Sequence, residues 1–360
     1  MKILQQYVLK ELWLPFILCF VTLDFIFMAG YLVRAANFIV GRGVPLMDTF
    51  YVLLLAMPGM IGYTVPTSIL TSVLIVFGGL SQNNELRAMK ASGVHLWELL
   101  LPVFILGFAL SFVMLVFNDQ IASNASLELR KATKQMLIKH PKALIEPGRF
   151  VRLSDSIIFM AKSIQGDQLT DIVAYEIEKS ETPVRTIIAE RGEIVTRKDT
   201  QEVEIRLYDG NISDAQQEGV HTIQFKTYVF PSVGSEDIRS MRKKMRELTL
   251  AEILLRLRVP EINANERREL WTAFHQRISF SCGSFIFIFM GIPIAMLVRR
   301  GEIILSFGIA MAAASFYYIL FVGAKTISVQ GLLPPLIASW VPNLLLFFAG
   351  FHLLKRSLAV

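Results

Sequence analysis

Long apolar runs dominate the chain, at about 12–33, 50–80, 96–117, 278–298, 303–325 and 334–354. Each is close to or above the about 20 residues that a helix needs to cross the hydrocarbon core of a bilayer, so six spans are predicted. Between the third and fourth runs the pattern changes for about 160 residues. Residues 118–142 keep a helical period but are polar, and continue the third span out of the membrane. From Gly148 the period becomes two. FVRLSDSIIFMA reads as strand, Ser-Asp-Ser turn, strand, and IVAYEI, VRTIIA, EVEIRLY and HTIQFKTYVF read as further strands. Asp209-Gly210, after EVEIRLY, is a hairpin-type turn signal. Short strands at this spacing predict a sandwich or jelly roll, not an α/β enzyme. Residues 235–268 return to helical composition and are basic from Arg239 to Arg258. That suits a helix on the membrane surface, or an ordinary solvated helix pair joining the insert to the membrane. The predicted fold is an α-helical membrane protein with six transmembrane helices and an inserted extracytoplasmic all-β, jelly-roll-like domain. Its parts are 1–117, 118–276 and 277–360.

The second and third runs are separated by a charged island, SQNNELRAMKASGVHLWELL, at 81–100. Asn83 and Asn84 offer side-chain oxygens to a helix N-terminus, and Glu85 suits the positive end of its dipole. Gly93 reads as the stop, because glycine takes the left-handed C-cap conformation without strain. A helix of about two turns, near 83–93, therefore fills the island and forms an elbow on one membrane face. The elbow either docks something or merely turns the chain. Pro58 and Pro66 in the second run remove backbone donors and predict kinks. Asp24, the acid of the first run, is costly at membrane depth and should face helices or water rather than lipid. A functional role, protonation or a hydrogen bond to a neighbouring helix would each account for it.

Composition agrees with a membrane protein that has a large wet part: 53% hydrophobic residues, 18% charged and a mean hydropathy of +0.50. The net charge of +6 carries no nucleic-acid motif with it and fits membrane topology and anionic lipid instead. With the N-terminus in the cytoplasm, the short inside segments hold eight basic residues: Lys2, Lys10, Arg87, Lys90, Arg299, Arg300, Lys355 and Arg356. The short outside segments hold three, Arg34, Arg42 and Lys325. The imbalance places the elbow in the cytoplasm and the β insert outside. No cleavable signal peptide is evident ahead of the first span. Cys19 and Cys282 both fall in apolar runs and read as small lipid-phase side chains.

No engine is legible. Gly323-Ala324-Lys325-Thr326 lacks the earlier glycine of a phosphate loop, and the five histidines have no ligand spacing. No nucleophile motif, metal site or cofactor is expected. A conduit without a motor must be driven from outside, and the elbow is the exposed handle.

Three passages now carry a resemblance: NNELRAMKASGVHLWELLLPV, AFHQRISFSCGSFIFIFMGIPIAMLVRRG and GLLPPLIASWVPNLLLFFAGFHLLKR. They occur in the order three spans, external β domain, three spans, and this resembles the LptF/LptG permeases of lipopolysaccharide export along essentially the whole chain. The resemblance implies a permease subunit, not an enzyme, of an ABC transporter in the inner membrane of a Gram-negative bacterium. It implies as partners an LptB-type ATPase dimer, a second LptF/LptG-type permease subunit (a paralogue or this chain itself), LptC/LptA-type periplasmic proteins, lipopolysaccharide and membrane lipids. The elbow becomes the coupling helix, with Asn84, Glu85, Leu86, Arg87 and Met89 at the ATPase and Glu85 as its acid. Arg34 and Arg42, at the outer end of the first span, become contacts for the phosphorylated headgroup. Arg34 is alternatively a snorkelling anchor, and Glu85 a dipole partner. In the β domain, alternation nominates Phe150, Ile158, Met160, Ile205, Leu207, Ile223 and Phe225 as the inward face. That face is either a lipid-lined groove or a closed core.

Two other readings compete. Permeases of the lipoprotein-release or MacB type usually have four spans, with the external domain after the first. A membrane-anchored scaffold would use the β domain only to bind partners, and would need no nucleotide-binding subunit.

Overall fold

The structure is a computed structural model, and it describes residues 2–41, 43–140, 147–154, 157–177, 183–197, 202–214, 221–230, 241–260, 262–298 and 302–359. Helices α1 (Lys2–Ala36), α2 (Leu46–Gln82), α3 (Glu85–Ala91), α4 (Leu96–Val116) and α5 (Ser123–Lys139) come first. Six strands follow: β1 (Val151–Ser154), β2 (Ile157–Gln165), β3 (Gln168–Ile177), β4 (Pro183–Arg197), β5 (Glu202–Asp214) and β6 (His221–Val229). The chain closes with α6 (Leu250–Leu257), α7 (Ala264–Ser281), α8 (Gly283–Val298), α9 (Ile303–Val329) and α10 (Pro335–Ala359).

Five helical stretches are long and apolar enough to cross a membrane, and α7 with α8 forms a sixth, bent by 42°. The six spans and the inserted antiparallel sheet therefore match the sequence reading. The third span runs on through a π-helical turn, Phe117–Ala122, into α5, as its period predicts. Just after the break the amide N–H of Phe285, in the first turn of α8, donates to the Ser111 hydroxyl on α4 at 3.0 Å, which satisfies one of the donors that a helix start leaves free. Pro58 and Pro66 both lie inside α2, which continues through them.

By compactness the chain divides into one unit of 1–30, 55–127 and 243–360 and another of 31–54 and 128–242. The core of the first unit is almost wholly aliphatic and aromatic, with Leu12, Leu70, Phe77, Leu99, Phe287, Ile288 and Tyr317 fully buried. Hydrogen bonds between helices add direction where lipid offers no competing partner. Asn343 donates to the Ser279 carbonyl at 2.7 Å and accepts from the Tyr317 hydroxyl at 3.0 Å. Along α2 the hydroxyls of Thr67, Ser68 and Thr71 return to carbonyls one turn earlier in the helix.

In the second unit the strands pair in sequence order, every neighbour antiparallel, so the described sheet is a meander. Its buried face holds Phe159, Ala161, Ile172, Ala174, Ile187 and Leu207. Asp209-Gly210 is not a hairpin turn, as the dipeptide suggested: it lies inside β5, paired to β4 through Ala189↔Gly210. The core positions step by two along each strand but by three across Ala161/Ile164, Leu169/Ile172, Ala189/Gly192 and Leu207/Gly210. Asp171 and Asp209 take positive φ on that line, 49° and 52°. A β-carbon on Gly210 would lie 2.4 Å from the Ile188 carbonyl oxygen and 2.5 Å from the Phe225 ring. Gly210→Val should therefore cost about 1–3 kcal/mol by overpacking. The expected readout on the full chain is faster amide exchange in β4, β5 and β6, with exchange in the membrane helices unchanged.

Outside the spans, α6 is fixed at its start by a reciprocal cap between Thr249 and Glu252. Lys243 donates to Glu252 at 2.5 Å, and chiefly that hydrogen bond holds the Glu252 carboxyl below its ordinary value of 4.5. A carboxyl depressed in the folded state stabilises above its unfolded value, and that contribution is lost as pH falls through the lower folded value. Exchange of the α6 amides should accordingly rise as pH drops below about 4.5, and Lys243→Met should flatten that dependence.

Candidate functional site

The elbow is α3, seven residues long. Its N-terminus departs from the sequence expectation. Asn84 occupies the cap position with φ 57° and makes no side-chain cap. Its Oδ1 accepts instead from the Arg87 guanidinium at 3.2 Å, and the Asn83 amide donates to the Glu85 carboxylate at 3.3 Å. The left-handed backbone turns the Asn84 side chain away from the free amides, so the helix begins without the cap its residue types would permit.

The C-terminus follows the sequence expectation. Gly93 has φ 85°, its N–H donates to the Lys90 carbonyl at 3.1 Å, and that of Val94 reaches the Met89 carbonyl at 3.1 Å. Those two bonds are the Schellman pair, and only a residue without Cβ takes this conformation freely.

The helix is fastened from beneath. Leu86 is buried in the main core, and Met89 packs against it. From α1, Gln5 donates to the Glu98 carbonyl in the first turn of α4 at 2.8 Å, and the Tyr7 hydroxyl donates to Glu85 at 3.4 Å. Val8 and Leu12 share the same cluster as Leu86, Leu96 and Leu99. The start of the first span, the elbow and the start of the third span are thus packed as one body. Of the five elbow residues singled out in the sequence, Leu86 and Met89 face this body. Asn84 and Arg87 are exposed, and Glu85 is half-buried at the margin. Tyr7 was not visible as a contributor in the sequence, because it lies 78 residues away.

Arg34 sits in the last turn of α1 and is exposed, its guanidinium 5.3 Å from the centre of the Tyr31 ring, one turn back. A π-helical turn, Asn37–Gly41, follows. Arg42 lies outside the described residues. In the same unit, His140 at the end of α5 approaches Asp48 in the first turn of α2 at 3.4 Å.

The β-domain candidates divide between two faces. Ile205 and Leu207 lie in the buried core, and Phe225 packs against it half-buried. Ile223 pairs with Ile212 on the same side but is 63% exposed. Ile158 and Met160 alternate with the buried Ile157, Phe159 and Ala161, so they belong to the opposite face, where Phe150 packs on Tyr175 at 5.7 Å. The expectation that all seven share one face is corrected. In SIIFMA five consecutive residues, 157–161, are apolar, so alternation alone cannot assign the parity, and the three-residue step then shifts it again between halves.

A cluster that the sequence did not reveal lies where the third span meets the segment before α6. Asp119, in the π-helical turn, accepts from the Arg277 guanidinium at 2.8 Å and from the Leu250 amide at 2.7 Å. Arg277 also donates to the Leu248 and Arg246 carbonyls. Both side chains are about nine-tenths buried. Among the described residues no group of His, Cys, Asp and Glu is arranged to hold a metal ion.

Two comparisons bear on this arrangement. A family model described as "Lipopolysaccharide export system permease LptF/LptG" matches residues 6–356. A search of curated proteins finds no match.

Proposed function

The chain belongs to the LptF/LptG family of lipopolysaccharide export permeases, and from that premise we propose that it is the membrane subunit of an ATP-driven extractor of lipopolysaccharide. A separate cytoplasmic ATPase of the LptB type supplies the work, a second LptF/LptG-type subunit completes the pathway, and LptC/LptA-type proteins receive the lipid outside. The termini and α3 lie in the cytoplasm and the sheet in the periplasm, in line with eight basic residues in the short inside segments against three in the short outside ones. The observation that carries the reading is the family match over 6–356; α3 adds a rigid exposed elbow bearing Glu85.

In this reading Glu85 and Arg87 meet the ATPase, while Leu86 and Met89 transmit the push into the helix core rather than touching the partner. Arg34 meets a headgroup phosphate, for which a planar guanidinium is suited. Within the sheet, the acyl part is received on the Ile205, Leu207 and Phe225 face, entering from the exposed Ile223. Phe150 and Ile158, on the other face, are not part of that path.

The test is purification of the complex in mild detergent, followed by mass spectrometry of its subunits and lipid. Copurification of a nucleotide-binding subunit with a phosphorylated acyl-sugar lipid is expected, and a complex that contains neither would sink the proposal. A reporter inserted at 198–201, between β4 and β5, should be active only outside the cytoplasm. Arg34→Ala should weaken lipopolysaccharide binding by about tenfold, the equivalent of one charge-assisted hydrogen bond of ~1.5 kcal/mol. Native mass spectrometry of the complex reads that change directly, and equal binding removes Arg34 from the site.

A further inference from the structure

Asp24 lies well inside the first span and is 8% exposed, covered by the protein itself. One carboxylate oxygen, Oδ1, is shielded and has no hydrogen-bond partner among the described residues. From α2 the Thr64 side chain, itself fully buried, is hydrogen-bonded to the carboxyl, and it is the neutral group that the acid meets there. The next hydroxyls along that face of α2, those of Thr67, Ser68 and Thr71, already donate to backbone carbonyls of their own helix.

Among the described residues of α1, α2 and α9 no counter-ion is at hand. On α1 the nearest basic residues are Arg34 and Lys10, ten and fourteen positions away, or roughly 15 and 21 Å along a helix. Helix α2 contains no lysine or arginine. On α9, which touches α2 through Tyr318 and Thr67, the cation is Lys325, and the charges acting on it are Arg246 and Glu269. An isolated carboxylate in a dry, apolar setting costs far more than a neutral acid, and with no cation to pair it the group is neutralised by a proton.

We propose that Asp24 is a proton-binding site in the membrane core: its carboxyl carries a proton while α1 rests against α2. The proton comes from bulk water and returns to it whenever Asp24 is wetted. Ionisation then opposes reburial until a proton is regained, so the packing of this part of α1 depends on proton exchange. The inference rests on the chain spanning a membrane and not on the elbow's docking role.

The experiment is infrared spectroscopy of the complete transport complex in lipid nanodiscs, with isotope-labelled aspartate. At neutral pH the carbonyl stretch of a protonated carboxylic acid is expected, displaced by the label and shifted in D2O, and absent from Asp24→Asn. Asp24→Asn should slow lipid transport while the complex still assembles, and Asp24→Glu should restore it in part. No acid band in the wild type, a band that survives in Asp24→Asn, or an unchanged transport rate in that variant would each overturn the proposal. If Asp24→Asn fails to assemble, the labelled wild-type band and the transport rate of Asp24→Glu decide. Failure of the ATPase assignment would show separately, as a complex lacking the nucleotide-binding subunit.

Discussion

Glu85→Ala should abolish ATP-driven lipid transport while the complex continues to assemble and bind its ATPase. The carboxylate contributes little to the chain's own stability. Its contacts with Asn83 and Tyr7 are long, at 3.3 and 3.4 Å, and lie at the surface, and such interactions are worth about 0.2–1 kcal/mol. The helix itself is held by Leu86 below and the Gly93 stop behind, neither of which the substitution touches. What is lost is the charged handle on an element packed rigidly against the first and third spans. The measurement pairs ATP hydrolysis with lipid release in reconstituted vesicles: hydrolysis should persist in some measure while release falls to background. Undiminished release would remove Glu85 from the coupling role. Tyr7→Phe gives a finer reading of the same path, since it deletes one long hydrogen bond and should leave transport nearly intact.

Arg277→Ala should produce the largest loss of stability of any single change considered. A buried ion pair broken on one side leaves the other charge uncompensated, at a cost of about 3–5 kcal/mol. Here Asp119 would keep the Leu250 amide but lose its cation, and the Leu248 carbonyl would lose its donor. Asp119→Ala should be similarly severe, because it strands both Arg277 and the Leu250 N–H. Thermal unfolding of the purified complex reads the loss, and exchange should rise first at 243–250 and in the π-helical turn. Replacing both partners with apolar residues should recover part of it, since an unpaired charge is worse than none. Full additivity of the two single changes would show that the pair does not act as a unit.

The plan of the molecule was legible in the sequence because it follows from short-range rules. Six runs long enough to cross a bilayer can satisfy their backbone only as helices, and the change to period two can only be a sheet. Gly93 marked the end of the elbow through a conformation that other residues resist. The three quoted passages carried the family.

What the sequence could not reveal depends on residues far apart along the chain. Asp119 and Arg277 are 158 positions apart, and neither alone signals an ion pair. Asn84 shows that the right residue type does not make a cap, since its backbone turned left-handed at that point. Asp209-Gly210 carries turn chemistry, yet it lies inside a paired strand, with Asp209 at positive φ and Phe225 and the β4 backbone close enough to Gly210 to leave no room for a β-carbon. The faces of the sheet were decided the same way. In SIIFMA residues 157–161 are apolar on both parities, so only the packing of the sheet, in which this strand pairs with β1 and β3, fixes which residues are inside. Local chemistry determined which elements form and in what order they cross the membrane. Which polar atoms are paired, which apolar face is covered and which carboxylate oxygen is left without a partner among the described residues were settled only when distant segments packed together.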